Sequence, residues 1–185
     1  MELFQEYPLL EDELIILRKM GKEDIADLIQ ITENDAIYRY LPTFLYEKKY
    51  DDLNIVLERM DEECFFTKDS ILLGIFLKEN GKMVGIGEIY SYKPEKDKAS
   101  IGYRLNVDYW GRGLATRTAM LLRNYIIEDV GLKKITGHVM KENIASAKVL
   151  RKCGFIDRFP DLWEDWGFDH PVLTDKYMYK KEYEK

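Results

Sequence analysis

The stretch Trp110-Gly111-Arg112-Gly113-Leu114-Ala115-Thr116 holds the residue types and spacing in this chain that most clearly specify chemistry. It lies between a strand-like run, residues 99–107, and a strongly helical run, residues 114–128. Two glycines and a small alanine at a strand-to-helix junction leave the backbone uncovered by side chains. The first-turn N–H groups of the following helix lack intrahelical partners, and the helix dipole adds partial positive charge there. Such a junction is an anion site whose usual guest is a phosphate, so the expected ligand carries one. The run lacks the Lys-Ser/Thr pair of the nucleotide-triphosphate P-loop and the three-glycine dinucleotide fingerprint.

The elements that must hold this loop follow from apolar periodicity. Residues 14–18 are expected as a first strand, and residues 22–34 as an amphipathic helix with Ile25, Leu28 and Ile29 on one stripe. A second helix is expected over residues 47–60, with Tyr50, Leu53, Leu57 and Met60 inward. Asn80-Gly81 between residues 71–79 and 82–92 predicts a hairpin with a type I′ turn, both of whose central residues need positive φ. Residues 93–98 form a charged turn with Pro94, so residues 99–107 are expected to pair antiparallel to the preceding strand. The helix from Leu114 should bury Leu114, Leu121, Leu122, Tyr125 and Ile126, with Gly131 following it. Residues 135–139 make a strand, and residues 143–152 a helix with Asn143 as N-cap and Gly154 as stop. Residues 155–159 and 176–180 make two last strands around an aromatic, acidic loop, Trp163-Glu164-Asp165-Trp166. With no repeat, linker or low-complexity segment, one domain over residues 1–185 is expected.

The glycine loop resembles the pyrophosphate loop of the GNAT acetyltransferases, Gln/Arg-x-x-Gly-x-Gly/Ala, with Trp110 standing where Gln or Arg is usual. Trp-Gly-x-Gly-x-Ala-Thr is similar to the branch that acetylates N-termini of ribosomal proteins. Asn143-Ile-Ala-Ser146 followed by Val149 to Phe155 resembles that branch's Asn-x-x-Ser…Gly-Phe segment, and Leu14 to Arg18, Glu23-Asp24 and Tyr38 to Pro42 resemble its opening. The resemblance spans about residues 11–180. It implies an α/β (mixed α+β) acyl-CoA N-acyltransferase fold: a mixed, mostly antiparallel sheet of about seven strands, flanked by helices and splayed between its fourth and fifth strands. Pantetheine would lie in that opening, which we assign to residues 82–92 and 99–107. By the same resemblance Leu105 and Val107 offer backbone groups to pantetheine, although ordinary sheet packing explains both residues too. Gly111, Arg112, Gly113, Leu114, Ala115 and Thr116 form the pyrophosphate loop, with N–H groups of Arg112, Gly113, Ala115 and Thr116 facing the phosphates. Asn143 and Ser146 stand near the pantetheine and sulfur. Acetyl-CoA is the implied cosubstrate, with no metal.

Composition bounds the partners. Hydrophobic residues make up 46% of the chain and no apolar run approaches the roughly 20 residues of a membrane span. Residues 1–10 carry Glu2 and Glu6 and no basic region, unlike a secretory signal. Cys64 and Cys153 lack metal-ligand spacing and fit reduced thiols in a cytoplasmic protein. His138, in a strand, and His170, in a loop, are expected as structural. The net charge of −6 divides into +6 over residues 104–152 and −12 elsewhere. The basic part holds both cofactor motifs, and the acidic remainder suits a cationic acceptor such as an amine, or is ordinary solvated charge. An acidic whole argues against nucleic acid as partner, and a homodimer stays open.

The implied reaction is attack of a neutral amine on the thioester, which needs a proton acceptor, oxyanion donors and an acid for the thiolate. An α-amine of pKa about 7.7–8.0 costs about 1 kcal/mol to neutralise at pH 7, and a lysine amine near 10.4 about 4.6 kcal/mol. Glu88 and Glu164 compete as base. Glu88 shares a strand face with Val84, Ile86 and Tyr90, whose apolar surroundings would raise its pKa; the bland alternative is an exposed strand charge. Glu164 sits in the Trp-rich loop, where related N-terminal acetyltransferases place a base, or is a solvated loop charge. Water could replace either. The tyrosine that serves many GNAT enzymes as acid falls on Leu150 here, which leaves Ser146 for that role or for capping with Asn143. Tyr38/Tyr40 and Trp163/Trp166 line an acceptor groove or pack as core and lid. Three functions remain: N-acetyltransfer to a peptide or ribosomal-protein α-amine, acetylation of a small amine (polyamine, aminoglycoside or amino acid), and a non-catalytic CoA sensor.

Overall fold

The computed structural model describes residues 3–181. Among the described residues there are eight strands: β1 (Leu10–Glu11), β2 (Ile15–Arg18), β3 (Ser70–Leu77), β4 (Met83–Lys93), β5 (Lys98–Leu105), β6 (Lys134–Met140), β7 (Ile156–Glu164) and β8 (Val172–Lys180). They form one sheet in the order β1-β2-β3-β4-β5-β6-β8-β7, antiparallel throughout except for the parallel pair β5–β6. β3 is buried along its whole length, as its unbroken apolar run requires of a central strand covered on both faces. Helices α1 (Ile25–Thr32), α2 (Asp35–Tyr38) and α3 (Leu53–Met60) cover one face through Leu28, Ile31, Ile37, Leu57 and Met60, which meet Leu72, Phe76 and Ile86. Helices α4 (Leu114–Asn124) and α5 (Ile144–Lys152) cover the other, where Leu114, Leu122 and Leu150 meet Leu73, Ile75, Ile89 and Ile101. Among the described residues no helix is long and apolar enough to cross a membrane.

The opening in the sheet is not where the sequence reading set it. β4 and β5 stay paired from Gly85↔Leu105 to Lys93↔Lys98. The sheet parts one strand further on. β5 and β6 share only Lys98↔Lys134, Ala99↔Ile135 and Ser100↔Thr136, and the Ser100 and Thr136 hydroxyls, 2.8 Å apart and buried, close the apex of the gap. Beyond it β5 follows β4 and β6 follows β8, so the two diverge. The Asn106 N–H bonds the Val84 carbonyl of β4 at 2.8 Å. By strand alternation the backbone groups of Ile101, Tyr103 and Leu105 therefore face the opening.

Other boundaries moved for local reasons. The second helix begins at Leu53 rather than at Glu47, because Asp52 caps it by accepting the Asn54 N–H (2.9 Å), while residues 46–48 form a single 3-10 turn that directs Glu47 inward. Val107 lies in a 3-10 turn, Val107–Tyr109, so it is not a strand residue. Gly81 has φ +71 but Asn80 is not in the positive-φ region. The Gly81 N–H bonds the Leu77 carbonyl at 2.8 Å, closing a four-residue loop in place of a type I′ turn. α4 gives way to a π-helical turn, Tyr125–Asp129, and Leu121 is half-buried where Ala119 and Thr118 are buried. In α1 Ile31 points inward and Ile29 is exposed. β7 and β8 run longer than residues 155–159 and 176–180, so Trp163 and Glu164 end a strand and are not loop residues. β7 is an exposed edge with a proline, and such strands carry weak apolar alternation.

A bulge in β4 also changes which residues share a face with Glu88. Gly85 pairs with Ile75 and Met83 with Phe76, leaving Val84 as the extra residue. Val84 then joins the α4 side of the core and Met83 the α1/α3 side, so Val84 is not a face-mate of Glu88. Gly85 next to the bulge permits the close approach of β5: a Cβ there would run into the Arg104 carbonyl oxygen and lie 2.6 Å from Leu105 Cδ2. Gly85→Ala is expected to cost about 1–3 kcal/mol, the usual penalty of overpacking a well-filled core. A urea-denaturation midpoint unchanged from the parent would refute this.

Candidate active site

A cleft of about 1400 Å³ passes through the gap between β5 and β6 and joins the two faces of the sheet. At one end is the glycine loop. Gly111 and Gly113 have φ of +73 and +78, and a Cβ on either would meet nothing within 4 Å, so both leave open space beside the backbone. Gly113 caps α4 without a side-chain hydrogen bond, and the Gly113 carbonyl accepts from Arg117 at 3.2 Å. The N–H groups of Leu114, Ala115 and Thr116 precede that first helical bond and have no partner within the helix. Leu114 anchors the loop by burying its side chain, and Gly111, Gly113, Ala115 and Thr116 line the cleft, as do Lys148 and Lys152 of α5. This anionic-ligand cradle fits the diphosphate of CoA. Arg112 does not line it; its guanidinium bonds the Asp108 carbonyl at 2.9 Å and stacks over Tyr109. Trp110 donates its indole N–H to the Leu105 carbonyl at 2.8 Å, tying the loop to the lip of the gap. One of the two Leu105 groups expected to face pantetheine is therefore engaged. Val107 lies outside the cleft.

On the α4/α5 side of the gap stands a pair that sequence reasoning assembled only in part. Asn143 caps α5 by accepting the Ser146 N–H at 3.1 Å, and both residues line the cleft. The Ser146 hydroxyl lies 3.0 Å from the phenol of Tyr103, which reaches it from β5. Burial pushes the Tyr103 phenol above its ordinary range, so it stays protonated. Leu150 is buried and packs on Gly137, whose added Cβ would lie 2.8 Å from Leu150 Cδ1. The phenol beside Ser146 thus comes from Tyr103 of β5 and not from position 150. The signal for it was alternation from Leu105 in β5, which has meaning only once the gap is assigned to the β6 side of that strand.

The α1/α3 side carries the carboxylates. Glu88 is opposite Gly102 in the β4–β5 register and 16% exposed. It is not an isolated carboxylate on an apolar face. The Arg104 guanidinium bonds it at 2.9 Å and also pairs with Glu47, which is 1% exposed and accepts from the Tyr38 hydroxyl at 3.3 Å. Two acids share one base, and burial raises the Glu88 pKa against the opposing pull of Arg104. Arg104 and Glu47 were not singled out from sequence, since a buried cross-strand ion pair depends on register. The aromatic pairs separate: Tyr40 and Trp166 line the cleft, while Tyr38 serves Glu47 and Trp163 is 71% exposed.

Opposite Glu88 across the gap, Glu164 and His138 form a second unit. Glu164 accepts from His138 Nδ1 at 2.7 Å, from the Thr174 hydroxyl at 2.7 Å and from the Trp166 indole at 3.3 Å. His138, expected as structural, lines the cleft with Glu164 and Trp166. Its ring pKa is lowered, first by burial and then by Lys176 and Lys98, with Glu164 opposing. The cleft thus joins an anion cradle, a Ser–Tyr hydroxyl pair, and an acidic wall with an imidazole, the parts needed to hold a CoA thioester beside an amine.

The comparisons with known proteins agree with this geometry. Residues 15–156 match the family described as the acetyltransferase (GNAT) domain, and the chain belongs to that family. It is 26% identical to an uncharacterized N-acetyltransferase, p20, of Bacillus licheniformis over 94% of this chain and 97% of that protein. Among solved structures, the spermidine N-acetyltransferase of Vibrio cholerae in complex with CoA and spermine superposes with a TM-score of 0.76 at 17% identity, over 94% of this chain and all of that one. A Vibrio cholerae protein provisionally assigned as a ribosomal-protein-serine acetyltransferase gives 0.75 at 16%, over 94% and 97%. At that identity the two structures establish the fold. The chain is an N-acetyltransferase of the GNAT type.

The buried triad has a consequence for stability. Arg104→Met would leave Glu47 and Glu88 without their counter-charge, and breaking a buried pair costs about 3–5 kcal/mol. Burial already raises the Glu88 pKa, and removing the guanidinium takes away the charge that opposes that rise. The loss is therefore largest at neutral pH and shrinks as pH falls toward the ordinary carboxylate value near 4.3. Denaturation of parent and variant between pH 4 and 8 checks this, and a loss that grows toward acid would contradict it.

Proposed function

We propose that this protein transfers the acetyl group of acetyl-CoA directly to the α-amine at the N-terminus of a peptide or protein, within one catalytic domain. The observation that carries the reading is the continuity of the cleft, from the unpaired N–H groups at the start of α4, through the gap, to the carboxylate-bearing face. Acetyl-CoA supplies the acetyl group and the thiolate leaving group. Gly113, Leu114, Ala115 and Thr116 hold its diphosphate through backbone N–H groups, and the lip formed by Ile101, Tyr103 and Leu105 guides the pantetheine. Ser146, backed by the protonated phenol of Tyr103 at 3.0 Å, delivers a proton to the departing sulfur. Glu88, sharing Arg104 with Glu47, keeps that face negative and draws in the ammonium form of the acceptor.

An α-amine needs only about 1 kcal/mol to become neutral at pH 7, so a weak base suffices for it. A polyamine is the second reading, favoured by the fold shared with the Vibrio spermidine enzyme and by the acidic wall. Lys93, Lys98 and Lys176 also line the cleft, and the Lys98 pKa is lowered by burial and by Lys176 and Lys93. A row of like cations beside the acidic wall disfavours a polycation and tolerates a peptide.

Turnover of a panel of N-terminal peptides, including ribosomal-protein N-termini, against spermidine tests the acceptor; faster acetylation of spermidine than of every peptide would reverse the order of the two readings. Gly113→Val is expected to weaken acetyl-CoA binding by about tenfold or more while the domain folds. Its side chain would enter the open space beside the loop, and the left-handed φ adds about 1–2 kcal/mol of strain. Calorimetry showing parental affinity in the folded variant would remove the loop from cofactor binding. Ser146→Ala and Tyr103→Phe should each lower kcat, by up to about a hundredfold, with the acetyl-CoA KM little changed, because the interaction is made as the thiolate leaves.

A further inference from the structure

We infer that His138 is the group that takes the proton from the acceptor amine, and that Glu164 acts through it as a positioning residue; this rests on the acetyl-transfer reading above. The argument starts from register. Ser100 and Thr136 form the last paired row of β5 and β6, so Gly102 and His138 are the first residues on this face to flank the opening. Gly102 pairs with Glu88 on β4. Glu88 and His138 therefore face the apex of the gap from opposite lips, where a thioester reaching through the sheet meets the amine.

The two groups differ in what already occupies their lone pairs. Glu88 is bonded to the Arg104 guanidinium at 2.9 Å. Glu164 accepts three hydrogen bonds, one from His138 Nδ1 at 2.7 Å. Because an ionised carboxylate only accepts, the proton on that ring belongs on Nδ1, which leaves the Nε2 lone pair for the cleft. Thr174 and Trp166 fix the carboxylate, the carboxylate fixes the imidazole, and β6 fixes its distance from the gap. The charged and titratable groups facing His138 are Glu164 of β7, Lys176 of β8 and Lys98 of β5, with Tyr90 of β4 close to both Glu164 and Glu88. Burial and the two lysines keep the ring neutral at pH 7.

The acceptor enters as an ammonium ion. Nε2 of His138 accepts one proton, leaving the free amine. The nitrogen–acetyl bond forms as the carbon–sulfur bond breaks. The thiolate takes a proton from Ser146, which is refilled through Tyr103 from solvent. The second proton of the amine nitrogen leaves to solvent, as does the one on His138, so each turnover releases one net proton with the amide and the CoA thiol.

Rates with the best peptide of the panel between pH 5.5 and 9 test the assignment. Parent enzyme should show an acid limb in kcat. His138→Gln should lose that limb, leaving one at the amine's own pKa of about 7.7–8.0, and about a hundredfold or more in kcat. Glu164→Gln should keep the limb but move it to lower pH, since Glu164 raises the ring pKa. Glu88→Gln should raise the acceptor KM and keep the limb in place. A His138→Gln enzyme that retains the limb, or a Glu88→Gln enzyme that loses it, overturns the proposal. The chain has only two histidines, His138 and His170, so their ring protons can be titrated by NMR without any substrate. His138 should titrate below the ordinary imidazole range and fall further in Glu164→Gln; a His138 value that is unmoved or higher in that variant would refute the pairing even if another variant proved unstable. Absence of acetyl transfer by the parent to every amine is a different outcome, and rejects the acetyl-transfer reading itself.

Discussion

Strands β5 and β6 begin as partners and cannot remain so. They share three residue pairs, sealed by the buried Ser100–Thr136 hydroxyl contact, and then each follows its other neighbour. A sheet that parts in this way exposes main-chain groups on each lip, and a backbone polar group without a partner in a half-buried place costs about 1–3 kcal/mol. The protein meets part of that demand itself: the Trp110 indole takes the Leu105 carbonyl. The same bond holds the glycine loop against the lip, so the anion cradle and the gap are fixed relative to each other by one side chain. Trp110 stands where a Gln or Arg is usual in this family, and its contact is to the protein's own backbone. The helix that starts at Gly113 then lies with its unpaired N–H groups toward the same opening.

The second constraint is charge. Arg104 is 2% exposed and carries two acids, Glu47 from the segment before α3 and Glu88 from β4. Pairing of this kind recovers much of the desolvation energy of buried ions but adds little net stability over apolar packing. Its effect here is positional. It draws residues 46–48 onto the sheet, which is why the second helix starts late, and it leaves the acceptor face with more negative than positive charge at the point nearest the gap. On the other lip the balance reverses, where Lys98 and Lys176 stand beside His138.

The hydroxyl pair and the imidazole pair face each other through the gap from opposite sides of the sheet. Ser146 and Tyr103 belong to the α4/α5 side, His138 and Glu164 to the α1/α3 side. In the proposed reaction the donor to sulfur and the acceptor from nitrogen thus stand on different faces of the sheet, so they need not neutralise one another. The two Vibrio cholerae structures share the fold that carries both pairs.

Much of this was legible in the residue order. The glycine loop, the cap at Asn143, the helix from Leu114 and the strand 99–107 depend on contacts within a few residues, and local spacing determines them. The family was legible for the same reason, since its motifs are short runs at helix starts. The gap was not. We expected it between residues 82–92 and 99–107, yet it lies between β5 and β6, because which strands pair and where they part is decided by segments some thirty residues apart. The bulge at Val84 shifted the alternation by one residue, so Val84 left the face of Glu88. Arg104, Glu47, Tyr103 and His138 acquired their roles only through those long-range pairings. Sequence by itself determined where the chain could bind a phosphate and begin a helix, because backbone geometry over a few residues suffices for that. Tertiary structure alone decided which acids, hydroxyls and imidazole meet in one cleft, because strand register and sheet divergence are properties of distant segments packed together.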